Sequence, residues 1–340
     1  MPDVLTPSID QLRMRRALSE AEAQRVVETL MRGEAAQAEI AELLTAWKEK
    51  GVTVEELTGA ARAMRALAVP ITVRVQPLVD TCGTGGDGLR TFNISTVAAL
   101  VAAAAGAHVA KHGNRGATSA CGSADLLTAL GVQVEVAPAV VARCIEEIGF
   151  GFLFAPQFHP AMKHVAPVRK SLGFRTIFNL LGPLTNPAGA TRQVVGVSDP
   201  QAPDLMTQAL ERLGAQHVLV VRGEEGLDEV STVGTTRVLE VKRGRRSAYT
   251  ITPEQFGFTE TTLEQLRGGD PATCARIARE VLDGAQGPYR DAVLLNAGCA
   301  LYVADGAVDI GGGVALARRA LDNGRARQLL DRLVQVTNAA

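Results

Sequence analysis

The segment from Asp80 to Asn93, which reads D-T-C-G-T-G-G-D-G-L-R-T-F-N, constrains the fold of this chain more than any other. Four of its glycines lie within six residues, so backbone N–H groups there can approach a ligand closely. Leu78-Val79 before it has the character of a strand end, and residues 97–105 after it that of a buried helix. A glycine-rich turn between a strand and a helix N-terminus is a ready site for phosphate. The segment therefore predicts an α/β chain with a phosphorylated ligand.

Four interpretations of this loop compete. Its glycines fit the dinucleotide pattern G-x-G-x-x-G, but that pattern also needs an acidic residue roughly 20 residues on. No Asp or Glu stands between Asp87 and Asp125. A P-loop needs Gly-Lys-Ser/Thr, and Gly88-Leu89-Arg90 stands there instead. A plain glycine turn does not explain the polar helix start at 93–96. The remaining interpretation is a phosphoribosyl diphosphate site with an acidic residue that helps to organise Mg²⁺ or the ribose, and the polar side chains at the helix start favour an anionic ligand.

A second loop repeats the arrangement. It reads K-H-G-N-R-G-A-T-S-A-C-G-S from Lys111 to Ser123, after an apolar strand and before a helix at 124–130. Lys111 and Arg115 supply positive charge, and the neutral hydrogen-bonding side chains are Asn114, Thr118, Ser119 and Ser123. Loops that follow adjacent parallel strands lie side by side above the carboxyl edge of the sheet. We expect the two loops to hold the two phosphate ends of one substrate.

The rest of the chain predicts an α/β fold with a helical start. Residues 1–70 read as short amphipathic helices, with capping boxes at Ser19-x-x-Glu22 and Thr53-x-x-Glu56. From Pro77 to residue 340, β-rich runs alternate with helical stretches, which is typical of a mostly parallel central sheet flanked by helices. The predicted strands are 78–79, 109–110, 132–136, 152–154, 194–197 and 218–221. A hairpin is predicted over 238–252, followed by a helical tail over 271–336 that Gly311-Gly312-Gly313 interrupts.

Composition narrows the class of protein. The chain has 340 residues, with 35 basic and 36 acidic side chains, so charge gives no case for a nucleic-acid or membrane partner. Its five cysteines are scattered and form no CxxC pair, which argues against zinc and disulfide frameworks. No basic stretch followed by an apolar one opens the sequence, and its apolar runs are too short to cross a bilayer. A cytoplasmic enzyme is expected.

At this point the chain resembles a known family. G-T-G-G-D, N-I-S-T, K-H-G-N-R and G-S-A-D, in this order and spacing, are similar to those of the anthranilate phosphoribosyltransferases of tryptophan biosynthesis. The likeness continues in Arg169-Lys170-Ser171-Leu172-Gly173, in R-T-I-F-N-L-L-G-P-L-T-N-P from Arg175, and in Gly226-Leu227-Asp228-Glu229. It covers nearly the whole chain. It implies the nucleoside phosphorylase/phosphoribosyltransferase type of fold, with a small helical domain completed by about residues 159–185, and a homodimer formed through that domain.

The resemblance also implies a reaction and its residues. The 5-phosphoribosyl group of phosphoribosyl diphosphate passes to the amine of anthranilate, with Mg²⁺ as cofactor. The Mg²⁺ ligands carried over are Ser95, Asp228 and Glu229. Arg169 binds anthranilate together with the backbone of Gly83 and the amide of Asn114, and Arg175 is a rival for that role. The residues assigned to substrate binding are Gly83, Gly86, Asp87, Thr91, Asn93, Ser95, Thr96, Lys111, His112, Gly113, Asn114, Arg115, Ser119, Ser123 and Arg169.

An aromatic amine is already neutral at pH 7, so its attack needs no strong base. Catalysis is expected from positioning and from stabilising the leaving pyrophosphate, and the residues expected to matter most are Lys111, Asn114 and Arg169. His112 remains a candidate general base, although its neighbours suggest that it shapes the loop. Thr235 stands where the family often has proline, which puts substrate affinity in question rather than activity.

Two other functions stay open at this stage. Pyrimidine nucleoside phosphorylases share the implied fold, but they resemble K-H-S-G-R rather than the K-H-G-N-R seen here. A catalytically silent relative that binds nucleic acid would need a basic face, and the formal net charge of −1 argues against one.

Overall fold

The computed structural model describes residues 4–116 and 119–339. Its first part is helical, as expected, and both predicted capping boxes form: Ser19 with Glu22, and Thr53 with Glu56. In each, the hydroxyl accepts from the backbone N–H three residues on and the glutamate carboxylate accepts from the backbone N–H of the cap, so two N–H groups at the helix start are satisfied. The helices are α1 (Leu5–Arg13), α2 (Glu20–Met31), α3 (Gln37–Lys50) and α4 (Val54–Ala66).

A seven-stranded sheet forms the centre of the molecule, in the order β3-β2-β1-β4-β5-β6-β7. The first five strands are parallel, and the last two form the predicted antiparallel hairpin. The mostly parallel α/β fold predicted from the sequence is confirmed. The strands are β1 (Leu78–Thr81), β2 (His108–Gly113), β3 (Phe150–Phe154), β4 (Arg192–Gly196), β5 (His217–Gly223), β6 (Thr236–Lys242) and β7 (Arg245–Ile251).

Helices cover both faces of the sheet. The apolar helix that follows β1, at residues 94–104, has nine buried residues and packs against the long helix at 288–303. The remaining helices are α5 (Ile94–Ala104), α6 (Ser123–Ala129), α7 (Pro138–Ile148), α8 (Ala155–Phe158), α9 (Ala166–Leu172), α10 (Phe178–Leu181), α11 (Ala202–Arg212), α12 (Pro271–Leu282), α13 (Pro288–Val303), α14 (Ile310–Asp322) and α15 (Arg325–Asn338). Short 3-10 turns lie at Pro160–His164, Gly182–Leu184, Pro253–Phe256 and Glu264–Leu266.

The segment between β3 and β4 turns back onto the N-terminal helices. Val165, Val168 and Phe178 share one apolar core with α1–α4, with α11 and with one face of β4 and β5. The helical layer is therefore fastened to the sheet through shared packing. The division into a helical domain at 1–70, completed by 159–185, and a large domain at 77–340 remains a prediction.

Strand order reverses at β1, with β2 and β3 on one side and β4 and β5 on the other. In open α/β sheets, the loops at such a point separate above the carboxyl ends of the strands and leave a crevice for a ligand. The glycine-rich loop follows β1 at this position, so the topology predicts a ligand site above the ends of β1, β4 and β5.

Two expectations from the sequence are wrong. Residues 132–136 alternate apolar and polar side chains, but they form no strand. Val132 and Val134 are buried against the helical core, while the backbone N–H of Gln133 donates to the Thr337 hydroxyl of α15 at 3.2 Å. The triplet at 311–313 does not interrupt the tail either, because it lies inside the first turn of α14, capped by Asp309.

Candidate active site

The loop after β1 is an open turn that three glycines make possible. Gly85, Gly86 and Gly88 have φ values of +66°, +77° and +73°, a region that other residues rarely adopt. The loop is tied to the neighbouring strand ends: the Thr84 N–H donates to the Gly196 carbonyl at 2.9 Å, and the Gly85 N–H donates to Asp228 Oδ2 at 2.7 Å. The loop is therefore held over the crevice at the switch point.

Asp228 and Glu229 follow β5 and lie beneath this loop. Glu229 Oε1 accepts from the Ser95 backbone N–H at the start of α5, at 3.1 Å, and the Ser95 hydroxyl also interacts with that carboxylate. Burial raises the pKa of both carboxyl groups; the nearby Asp87 raises that of Asp228 further, and Asp228 that of Glu229. Neither carboxylate forms an ion pair within the described part of the chain, although the charge of Lys111 lowers the pKa of Glu229. A cation bound beside them would favour the ionised form of both groups.

Glycines let the carboxylates fit so closely. A Cβ on Gly196, the last residue of β4, would lie 1.6 Å from the Asp228 backbone oxygen. A Cβ on Gly83 would lie 2.6 Å from Asp228 Oδ2. The chain after β1 and the end of β4 thus pack directly against Asp228, which follows β5. A side chain at Gly83 or Gly196 would collide with this aspartate.

Lys111 lies buried at the end of β2. Its ammonium group donates to the backbone oxygen of Thr81 at the end of β1, and to the Thr81 hydroxyl at 3.2 Å. Its charge lowers the pKa of Glu229 and of the buried Asp80, although burial dominates and raises the pKa of Asp80 to about 6. The lysine therefore supplies positive charge to the floor of the site.

His112 is enclosed below the same loop. Its Nδ1 lies 3.1 Å from the Gly182 carbonyl, and its ring centre lies 5.1 Å from that of His159. Burial lowers the pKa of His112 to about 4 and that of His159 to about 3. Both imidazoles are therefore neutral at pH 7, and with Nδ1–H donating to a carbonyl, His112 has its contacts set by the fold.

The two predicted loops lie side by side, as expected. Asn93 Nδ2 donates to the Cys121 carbonyl at 2.9 Å, and the Thr96 hydroxyl donates to the Ser123 hydroxyl at 3.0 Å. A Cβ on Gly113 would contact Phe152 and Ser123, so this residue also lies at the junction. The first turns of α5 and α6 therefore lie next to each other.

Other candidates of the second loop make local contacts. Arg115 forms ion pairs with Asp125 and Glu135, each at 3.2 Å, and its half-exposed side chain points along the surface. The Asn114 side-chain oxygen accepts from the N–H of Arg115 at 2.7 Å, and the Ser119 hydroxyl donates to the Cys121 carbonyl. Thr91 pairs with Arg267 in an isolated bridge. Thr118 lies outside the described residues.

Arg169 projects from α9 on the helical side of the crevice. Its Nη2 lies 3.4 Å from Asn179 Oδ1, its guanidinium stands 5.4 Å from the centre of the Phe178 ring, and burial lowers its pKa. No hydrogen bond within the described residues joins it to Gly83 or Asn114. Arg175 does reach the first loop: Nη1 donates to the carbonyls of Gly85 and Gly86, both at 3.3 Å.

Three residues that the sequence did not single out build the floor of the site: Asp80, Asn186 and Asn296. Asn186 Nδ2 donates at 2.8 Å both to Asp80 Oδ2 and to the Ala110 carbonyl, and joins β1 to β2. Asn296 of α13 exchanges two hydrogen bonds with the backbone of Val230 and fixes the segment after Glu229. The signal was present in the sequence, since Asn296 is a lone amide within an apolar helix and Asp80 a lone acid within an apolar strand.

The protein side chains alone limit which metal ions the site can hold. Among residues 4–116 and 119–339, no group of three His, Cys, Asp or Glu side chains could hold a metal ion unaided. A cation at Asp228 and Glu229 would therefore need oxygen ligands from a substrate, which is how Mg²⁺ is commonly bound beside phosphates. The helices also bear on a possible membrane location: in the described part of the chain, none is long and apolar enough to cross a membrane.

Comparisons with known proteins agree with this geometry. The model of the a/b domain of a glycosyl transferase family matches residues 75–327, and that of the family's helical bundle domain matches residues 6–68. The anthranilate phosphoribosyltransferase of Solibacter usitatus is 52% identical over 325 residues, which are 95% of this chain and 96% of the relative. That of Moorella thermoacetica is 51% identical over 317 residues, covering 93% and 94%.

The solved structures to which this chain is similar include two anthranilate phosphoribosyltransferases. The anthranilate phosphoribosyltransferase of Thermus thermophilus has a TM-score of 0.93 at 50% identity, covering 97% of this chain and 99% of that one. The Saccharomyces cerevisiae enzyme in complex with phosphoribosyl diphosphate (PRPP) and Mg has a TM-score of 0.92 at 27% identity, covering 100% and 99%.

Proposed function

Since this chain belongs to the anthranilate phosphoribosyltransferase family, we infer that it transfers the 5-phosphoribosyl group of PRPP to the amine of anthranilate. The products are N-(5-phosphoribosyl)anthranilate and pyrophosphate, and the reaction depends on Mg²⁺. It is the second step of tryptophan synthesis from chorismate. One observation carries the inference to this molecule: two glycine-containing loops and a buried carboxylate pair converge at the switch point of the sheet.

The chemistry places its main demand on the leaving group. The bond between C1 of the ribose and the pyrophosphate oxygen breaks, and its electron pair leaves with pyrophosphate. The amine nitrogen of anthranilate bonds to C1 and then loses a proton to solvent. Because the amine is neutral from the start, the rate depends on charge stabilisation at pyrophosphate and on alignment of the two substrates.

Asp228, Glu229 and Ser95 hold Mg²⁺ in this proposal. The support is the buried pair of carboxylates, neither of which forms an ion pair within the described residues, with the Ser95 hydroxyl beside Glu229. Bound there with substrate phosphate oxygens, Mg²⁺ neutralises charge that develops on the leaving pyrophosphate. The protein's own part is to keep the carboxylates buried, oriented by Asn296 and close to the glycine loop.

The remaining substrate contacts are proposed from the two loops. The first loop, with Gly83, Gly86, Asp87, Thr91, Asn93 and Thr96, takes the diphosphate and ribose. Lys111, with Gly113, Asn114, Arg115, Ser119 and Ser123, completes the phosphoribosyl half. His112 is proposed to shape this loop: its Nδ1–H donates to the Gly182 carbonyl, and burial lowers its pKa to about 4, which disfavours proton uptake at Nε2.

Arg169 is proposed to bind the carboxylate of anthranilate, with the backbone of Gly83 and the amide of Asn114. Its support is a partly buried guanidinium on the helical side of the crevice, and a guanidinium can meet a carboxylate with two hydrogen bonds. Replacing Arg169 with alanine should raise the anthranilate KM at least tenfold, as expected for a lost charge-assisted pair. The PRPP KM should change little, and equal rises in both would remove Arg169 from the acceptor site.

The reaction itself is tested by mixing the protein with Mg²⁺, PRPP and anthranilate and following the loss of anthranilate fluorescence. We expect steady consumption that EDTA abolishes, and none without PRPP. In Asp228→Asn the carboxylate becomes a neutral amide of the same shape, so the Mg²⁺ concentration needed for half-maximal rate should rise at least tenfold. Arg237→Ala, which removes only an exposed ion pair with Asp204, is the control. No consumption of anthranilate by the unaltered protein would overturn the proposed function.

We also propose that the protein acts in the cytoplasm as a homodimer formed through its helical part. The support for the location is the biosynthetic role of the relatives. The support for the assembly is an exposed apolar side chain, Met14, directly after α1.

A further inference from the structure

Arg175 crosses the crevice and contacts the glycine-rich loop through the loop's carbonyl oxygens. It lies between α9 and α10, on the helical side of the molecule. Nη1 donates to Gly85 O and Gly86 O at 3.3 Å, and Nη2 also donates to Gly85 O at 3.3 Å. The Ser198 hydroxyl, which follows β4, adds a further bond to Gly85 O at 3.0 Å. With the Thr84 hydroxyl at 3.5 Å, the Gly85 carbonyl accepts from four donors.

Fixing these carbonyls also fixes the N–H groups beyond them. The peptide bonds after Gly85 and Gly86 are trans, so each N–H points away from the carbonyl of the same peptide unit. When the guanidinium holds the two oxygens, the N–H groups of Gly86 and Asp87 must point to the opposite side. Neither N–H donates to any group within the residues that the structure describes. Both are free for a ligand.

This arrangement matters for an anionic substrate. A carbonyl oxygen turned towards a diphosphate repels it, whereas an N–H turned towards it binds it. The loop needs an external restraint because Gly85 and Gly86 can rotate more freely than other residues. A side chain at Gly86 would be strained at a φ of +77°, and its Cβ would lie 2.6 Å from Arg175 Nη1, so the guanidinium would have to shift.

We propose that Arg175 is a positioning residue for the diphosphate: it holds the Gly85 and Gly86 carbonyls so that the free N–H groups of Gly86 and Asp87 face the phosphates. This rests on the proposed function. It assigns Arg175 to the PRPP half of the site and not to anthranilate, for which it was the sequence's rival candidate. Arg175 acts through the loop and touches no reacting atom.

Arg175→Ala tests the assignment in the full-length protein. The KM for PRPP should rise about tenfold, the size expected from losing a charge-assisted hydrogen bond. The KM for anthranilate should stay within about twofold, and Arg169→Ala should show the reverse pattern. Ser198→Ala should raise the PRPP KM less than Arg175→Ala, because two guanidinium bonds to Gly85 remain. An unchanged PRPP KM in Arg175→Ala, or an equal rise in both KM values, overturns the proposal.

Two further measurements separate positioning from damage to the fold. Guanidinium chloride at about 50 mM should lower the PRPP KM of Arg175→Ala towards that of the unaltered protein, and sodium chloride at equal ionic strength should not. A collapsed loop would not be rescued in this way. Calorimetry with Mg-pyrophosphate should give about tenfold weaker binding to Arg175→Ala than to Arg237→Ala. This binding needs no acceptor chemistry, so failure of anthranilate transfer and failure of this inference remain distinguishable.

Discussion

At the scale of single residues, the buried histidines give the molecule a defined response to acid. Burial holds the pKa of His112 at about 4 and that of His159 at about 3, against about 6.5 in an unfolded chain. Between those values the unfolded chain binds more protons than the native one. The free energy of unfolding therefore falls as the pH is lowered from about 6.5 towards 4.

His112→Gln should remove part of this acid sensitivity, because glutamine can still donate to the Gly182 carbonyl but does not titrate. Urea unfolding at pH 7.5 and pH 5 should show the unaltered protein losing about 2 kcal/mol more than the variant. Asp80 acts in the opposite sense, since its pKa is raised to about 6 and its contribution falls as pH rises from 4 to 6. The comparison is therefore between the two proteins at each pH. Equal losses would contradict this, because they would mean that His112 takes up its proton over the same pH range in the native and the unfolded protein.

At the scale of elements, the ends of β4 and β5 must approach each other without side chains between them. Gly196→Ala would place a Cβ against the Asp228 backbone, which cannot move without shifting the carboxylates. We expect a loss of stability of about 1–3 kcal/mol and a loss of transferase rate of more than tenfold. Gly234→Ala is the matched control, because its Cβ would meet nothing within 4 Å. Chemical denaturation and the fluorescence assay measure both effects, and a fully active Gly196→Ala would contradict the steric argument.

Much of this layout could be predicted from the sequence. Both loops stand between a strand and a helix, so parallel topology places them at one sheet edge, and Asn93 and Thr96 do reach the second loop. The alternating run at 132–136 misled because its buried valines pack on helices, and local periodicity does not say whether a partner strand exists. Asn186 and Asn296 escaped notice because their bonds join segments 66 or more residues apart. The contact of Arg175 with the Gly85 and Gly86 carbonyls could not be predicted, because the direction of a backbone carbonyl depends on the fold and not on the residue type.

At the scale of the whole molecule, the active site depends on two layers being fastened together. The loops proposed to bind PRPP and the carboxylate pair follow strands of the sheet, whereas Arg169 and Arg175 come from the segment that packs on the N-terminal helices. The shared core of α1–α4, α11 and the sheet face keeps these groups in register. Any contact that stabilises the helical layer therefore also supports the geometry at the acceptor side of the crevice.

The proposed dimer can be tested through this layer. Among the described residues, the large apolar side chains most exposed are Met14, at 66%, and Val308, at 89%. Met14 belongs to the helical part, where the interface is proposed, and Val308 lies between α13 and α14. Met14→Glu should place a charge in the interface and dissociate the dimer into monomers. Light scattering after gel filtration measures the mass of the particle. Val308→Glu, a similar change outside the N-terminal helices, should remain a dimer. A single-chain mass for the unaltered protein, or dissociation by Val308→Glu alone, would place the interface elsewhere or remove it.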